Sequence, residues 1–109
     1  MHIECLNQPN DSLLLVVSGD MDASGCSQAQ PLIEQLINEH PAVNMTMDLA
    51  EVDFLDSSGI GAIVFLFKRL KAQGCTLTLA NVHGQPLEII TLLRIDTAIP
   101  LTSTAGSPS

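Results

Sequence analysis

The 109-residue sequence has no tryptophan and no tyrosine, and its only aromatics are Phe54, Phe65 and Phe67. Its core must therefore be built from aliphatic side chains. Positive charge is almost as scarce: four Lys/Arg against twelve Asp/Glu leave a formal charge of −8. Nucleic-acid binding requires phosphates to be neutralised, so this chain is not expected to bind nucleic acid. An anionic bilayer surface repels it for the same reason. Three of the four cations, Lys68, Arg69 and Lys71, cluster within four positions and mark one helix face rather than a basic surface.

Cysteine is limited to Cys5, Cys26 and Cys75, an odd number with no CxxC pair. That excludes a disulfide framework and a structural zinc site, and suits small buried thiols in a reducing compartment. No basic-then-apolar leader opens the chain. The longest apolar run, Ile60 to Phe67, is far short of the roughly 20 residues that span a bilayer. No membrane insertion is expected, and the expected location is the cytoplasm.

What is present is a hydrophobic fraction of 46% with only 15% charged residues, enough apolar material for one domain and too little charge for a disordered chain. Residues 2–6 form a short mixed run, followed by the turn signal Asn7-Gln8-Pro9-Asn10-Asp11. Ser12 to Ser18 carries five consecutive apolar residues and reads as a buried strand, paired with the first run as a hairpin. Asp20 to Gly25 reads as a loop. A helix follows with Ala29, Leu32, Ile33, Leu36 and Ile37 inward; Pro31 is expected near its first turn and His40-Pro41 ends it.

Met45 to Leu49 reads as a strand. Ile60, Ile63, Val64, Phe67 and Leu70 make the strongest helical stripe, running to about Gln73 with Gly74 as the stop. Cys75 to Leu79 alternates as a strand. A last helix opens at Gly84-Gln85-Pro86, with Pro86 in first position and Leu87, Ile89, Ile90 and Leu93 inward, and Ile99-Pro100-Leu101 is a short terminal strand. This order predicts an α/β fold of two layers, a mixed, mostly parallel sheet of four to five strands with helices mainly on one face.

The stretch Met47 to Gly61 is the most informative. A strand ends, acids cluster, and Asp56-Ser57-Ser58-Gly59 opens an amphipathic helix. Ser57 or Ser58 is expected to cap that helix. A helix start also accommodates a phosphoryl group, and phosphorylation there adds about −1.5 to −2 charges beside Asp20, Asp22, Asp53 and Asp56. Catalytic alternatives find little support. The G-x-S-x-G elbow is absent, His2, His40 and His83 are scattered, and no Walker lysine accompanies the Ser-Gly-Ile-Gly turn. Asp53 and Asp56 have no second acidic motif with which to form a metal or glycosidase site. No enzyme activity, cofactor or metal is expected.

The D-S-S-G-hydrophobic-G helix start, with Gly19-Asp20-Met21-Asp22 after an earlier strand, resembles the STAS domain family, specifically the bacterial anti-sigma factor antagonists. The resemblance implies one STAS domain over residues 1–101, with 102–109 as a flexible tail. It implies phosphorylation of Ser58, with Ser57 as the alternative, by an anti-sigma factor that is itself a serine kinase. The unphosphorylated form would bind that factor and free a sigma factor; a serine phosphatase of the PP2C type would reset it. The implied partner face takes Asp20, Met21, Asp22 and Ser24 from one loop. From the helix start it takes Asp56, Ser57, Ser58, Gly59, Ile60 and Gly61.

Helical spacing adds Phe65 and Leu66, placed on the flanks of the stripe, as candidate docking residues. A monomer is expected when the chain is free. Two other readings fit the same residues. One is a STAS subunit of a lipid or anion transporter; the other is the same switch acting on attachment (biofilm) or second-messenger control.

Overall fold

The computed structural model describes residues 2–8, 12–39 and 43–102. Its order is β1 (His2–Asn7), β2 (Leu13–Ser18), α1 (Ala23–Glu39), β3 (Met45–Glu51), α2 (Ser57–Ala72), β4 (Leu77–Ala80), α3 (Gly84–Leu92) and β5 (Leu101–Thr102), with a short 3-10 turn at Ile95–Thr97 before β5. The five strands lie side by side in chain order. β1 pairs antiparallel with β2, and every later pairing is parallel. Crossovers between parallel strands share one hand, so a sheet that grows in one direction receives its crossover helices on one face.

The strand pattern follows from this. Leu13, Leu15 and Val17 of β2, Met45, Met47 and Leu49 of β3, and Leu77 and Leu79 of β4 are buried, while the alternate residues of β2 and β3 are not. Ile33, Leu36 and Ile37 of α1 and Ile63, Leu66 and Leu70 of α2 close the other side of the same core. The expected two-layer mixed sheet is the observed one. The core is aliphatic as well: Phe65 and Phe67 are half-buried and Phe54 is 42% exposed.

Several boundaries differ from expectation. α1 begins at Ala23, so Ala23, Ser24 and Gly25 are helical rather than loop. Pro31 therefore sits inside α1 and not near its start. It is tolerated there because Pro31 and Ser27, whose carbonyl loses its donor, both lie on the exposed side, where water replaces the missing bond. Leu32 is also on that side, 37% exposed. The expected stop His40-Pro41 and the turn residues 9–11 lie outside the described residues.

In α2 the inward face is Gly59, Ala62, Ile63, Leu66 and Leu70; of the expected stripe Ile63 and Leu70 are buried, while Ile60, Val64 and Phe67 lie half-buried at its edge. The cause is Gly59. A Cβ there would collide with Leu55 Cδ1 and lie 2.6 Å from the Met21 carbonyl oxygen. The first turn thus presses its backbone against Met21, which sets the rotation of the whole helix. Leu66 is consequently core, 1% exposed, and not a docking residue; Ile60, Val64 and Phe67 flank it.

β4 is shifted to Leu77–Ala80 relative to the expected run, and Pro86 is the third residue of α3 rather than the first. Leu87 and Leu93 are exposed, while Pro86 and Ile90 of α3 and the following Ile99 are buried. Thr102, grouped with the tail in the sequence, ends β5; residues 103–109 lie outside the described residues.

Leu66 and Phe65 are adjacent in sequence and differ in burial, which separates their expected roles. Leu66→Ala should cost about 2–5 kcal/mol in urea unfolding. Phe65→Ala should cost clearly less, and equal losses would contradict this orientation of α2.

Candidate functional site

The site forms where β2 and β3 run out. Gly19, at φ 89°, turns the chain, and its amide donates to the Glu51 carbonyl at 3.2 Å. The two following loops then pair like strands: Met21 N donates to Phe54 O at 2.9 Å and Asp56 N to Met21 O at 3.3 Å. Met21 and Leu55 form a parallel bridge, and both side chains are fully buried. This pairing places the starts of α1 and α2 side by side.

Each start is closed by an aspartate. Asp22 accepts from Gly25 N on its carboxylate at 2.8 Å, and from Cys26 N on its carbonyl at 2.9 Å. Asp56 is the N-cap of α2, its Oδ1 accepting from Ser58 N at 2.8 Å and Gly59 N at 3.2 Å. The cap is thus Asp56 and neither serine. Aspartate caps as well as serine does, and its negative charge also suits the positive helix end. Ser57 and Ser58 fall within the first turn, Ser57 exposed and Ser58 half-buried. Neither hydroxyl forms a hydrogen bond among the described residues. Because Asp56 already takes two first-turn amides, a phosphoryl group on Ser58 cannot use them without displacing it.

A groove of about 530 Å³ lies between α1 and α2. The buried Cys26 and Ala62 line it together with Gly61, Pro31, Phe65 and Ser58. The Arg69 guanidinium lies over the Phe65 ring, 5.6 Å from its centroid. The Cys26 thiol is pushed above its usual pKa, first by burial and then by the Asp56 and Asp22 carboxylates, so both acids reach the groove electrostatically.

Most of the sequence-predicted residues are brought together here, though not in equivalent roles. Asp20, Ser24, Ser57 and Gly61 are exposed, and Asp22, Asp56, Ser58, Ile60 and Phe65 are half-buried. Met21 and Gly59 are buried and shape the site from beneath rather than offering side chains to a partner.

One contributor had no signal in the sequence. The Gln85 side chain accepts from Leu55 N at 2.8 Å through Oε1 and donates from Nε2 to Leu55 O at 2.8 Å. It completes a strand-like pairing that ties α3 to the loop preceding Ser57. The segment before α3 is tied to β3 as well: His83 donates from Nε2 to Ala50 O at 2.9 Å, and Asn81 Nδ2 donates to Asp48 Oδ1 at 3.2 Å. Among the described residues no three His, Cys, Asp or Glu side chains are placed to hold a metal ion. No described helix is long and apolar enough to cross a membrane.

The family model described as STAS domain matches residues 3–107. The chain belongs to the STAS domain family. It is 23% identical over 104 residues to an anti-sigma-B factor antagonist of Listeria monocytogenes, covering 95% of this chain and 90% of that protein. The fold of this STAS chain is similar to an anti-sigma-factor antagonist (STAS) domain protein from Planctomyces limnophilus, with TM-score 0.83 and 19% identity over 95% of this chain and 91% of that one. It is also similar to the Bacillus cell fate determinant SpoIIAA in the phosphorylated form, with TM-score 0.74 and 15% identity over 96% and 94% of the two chains.

Two measurements probe the STAS site. Gln85→Leu leaves the buried Leu55 N–H and C=O without side-chain partners and should cost about 1–3 kcal/mol, with faster amide exchange at Leu55. Unchanged exchange there would contradict the clamp. A raised thiol pKa lowers the thiolate fraction at a given pH. Asp56→Asn retains a capping side chain but loses the charge, so it should speed labelling of Cys26 by iodoacetamide at a fixed alkaline pH. An unchanged rate would show that the carboxylate does not act on the thiol.

Proposed function

We propose that the chain is an anti-sigma factor antagonist switched by phosphorylation of Ser58. Unphosphorylated, it binds an anti-sigma factor with serine kinase activity and relieves the inhibition of a sigma factor. The kinase transfers the γ-phosphoryl group of ATP to Ser58 Oγ, with ADP as the leaving group and the hydroxyl proton passing to a base of the kinase. A serine phosphatase of the PP2C type hydrolyses the ester and restores binding. In this reading the protein is a cytoplasmic substrate and regulator and not a catalyst.

One observation carries the choice of residue. Ser58 sits in the first turn of α2, its hydroxyl unpaired among the described residues, and it lines the groove beside two carboxylate-capped helix starts. Ser57, next to it, is exposed and does not line the groove. The likeness to the Listeria antagonist over 95% of the chain supports the choice of partner. Phosphorylation places about −1.5 to −2 further charges where Asp22 and Asp56 already stand. With the nearest amides taken by Asp56, that charge and volume remain on the surface a partner must cover. A loss of a few kcal/mol in binding is enough to change occupancy by orders of magnitude.

The test is a lysate pull-down with wild type, Ser58→Ala and Ser58→Asp, with partners identified and phosphate mapped on the bait by mass spectrometry. A serine-kinase anti-sigma factor should be retained by wild type and Ser58→Ala and lost from Ser58→Asp. Retention by all three baits of one membrane-transport ATPase, with no phosphate on Ser58, would instead identify a transporter subunit.

A further inference from the structure

Gly61 is a glycine in the interior of α2, where glycine costs about 1 kcal/mol relative to alanine. Nothing in the fold accounts for it. A Cβ at Gly61 meets no atom within 4 Å, and its backbone has no positive φ. Gly59 is different, since its neighbours forbid a side chain. Gly61 instead lies open on the groove between α1 and α2, opposite Pro31 and between Ser58 and Phe65. Its missing side chain keeps open a depression that the buried Cys26 and Ala62 make apolar.

The charge around the depression selects what can enter it. Asp22 and Asp56 cap the two helices beside Ser58, and Asp20 is exposed in the same loop as Asp22. Arg69 stands over Phe65, which is about two helical turns or 10 Å further along α2 than Ser58, and Arg69 itself is a further turn along. The mouth near Ser58 is therefore acidic, within a chain of charge −8. A second copy would bring the same carboxylates against themselves. The terminal residues 103–109, Ser-Thr-Ala-Gly-Ser-Pro-Ser, carry no large apolar side chain and no basic one. An apolar depression with an acidic mouth is complementary to an apolar anchor flanked by a cation.

We propose that this groove seats a large apolar side chain of the anti-sigma factor, on a segment whose neighbouring Lys or Arg meets Asp22 and Asp56, and that Gly61 is the residue that admits it. The proposal rests on the reading of Ser58 as the switch and extends it. Ser58 shares the groove with the anchor, so a phosphoryl group on Oγ takes space at the mouth, and release follows from occupied volume.

Gly61 allows a test that leaves the fold intact. Gly61→Ala extends into open space, so its melting temperature should equal or exceed that of wild type, and a thermal melt verifies that Gly61→Leu, whose longer side chain enters the groove, is folded. Binding of the purified anti-sigma factor, measured by calorimetry, should weaken modestly for Gly61→Ala and by about 30-fold or more for Gly61→Leu. Wild-type affinity should fall as salt rises. Wild-type affinity in a folded Gly61→Leu protein overturns the groove, whatever Ser58→Asp does. Release of Gly61→Leu but not of Ser58→Asp keeps the groove and refutes the switch. A Gly61→Leu substitution that alters only self-association, seen by sedimentation, overturns the proposal in favour of a second copy. Affinity that does not change with salt overturns the basic flank.

Discussion

Two backbone hydrogen bonds between loops, Met21 N to Phe54 O and Asp56 N to Met21 O, hold the functional end of this molecule together. Parallel strands normally leave their following loops unpaired. Here the Met21–Leu55 bridge continues the ladder beyond β2 and β3, after the chain has already left the sheet. Its consequences spread outward. The starts of α1 and α2 become neighbours, their aspartate caps face one surface, and Gly59 must be glycine because the first turn of α2 rests on the Met21 carbonyl. The same contact rotates α2 so that Leu66 enters the core and Phe65 is left on the groove.

The loop pairing is itself braced from the far side. Gln85 satisfies both backbone groups of Leu55, so the segment before the two serines has one neighbour in the β2–α1 loop and another in α3. A buried residue whose backbone N–H and C=O are both bonded has little freedom to rearrange. The serines therefore project from a fixed platform. In the proposed switch, a phosphoryl group on Ser58 would alter the surface presented to a partner rather than this bracing.

Much of this was legible in the sequence. Apolar runs located the strands, and the structure resolves the continuous run Leu13 to Val17 into alternating burial, because the sheet buries one face of β2 and β3. The Asp56-Ser57-Ser58-Gly59 motif located the start of α2 to within a residue. Legibility failed where long-range contacts outweigh local pattern. Of the stripe counted from Ile60, Ile63 and Leu70 enter the core but Ile60, Val64 and Phe67 stay at its edge, because a small glycine, invisible to hydrophobic periodicity, faces inward at the first turn. Pro31 implied a helix start that α1 does not have, since an exposed carbonyl can do without its donor. Asp56 caps α2 although Ser57 and Ser58 beside it are residue types that cap equally well. Gln85 was undetectable: its amide pairs with a peptide unit 30 residues away, and no spacing records that.

The composition also takes on a role. On a surface poor in cations and aromatics, the acidic loops and the groove between α1 and α2 both adjoin Ser58. The most direct measurement is calorimetric. The purified anti-sigma factor would be titrated with the unphosphorylated chain and with the same chain stoichiometrically phosphorylated on Ser58. Tight binding of the first and loss of two or more orders of magnitude for the second is the expected result. Equal affinities, with phosphate verified on Ser58, would contradict the switch.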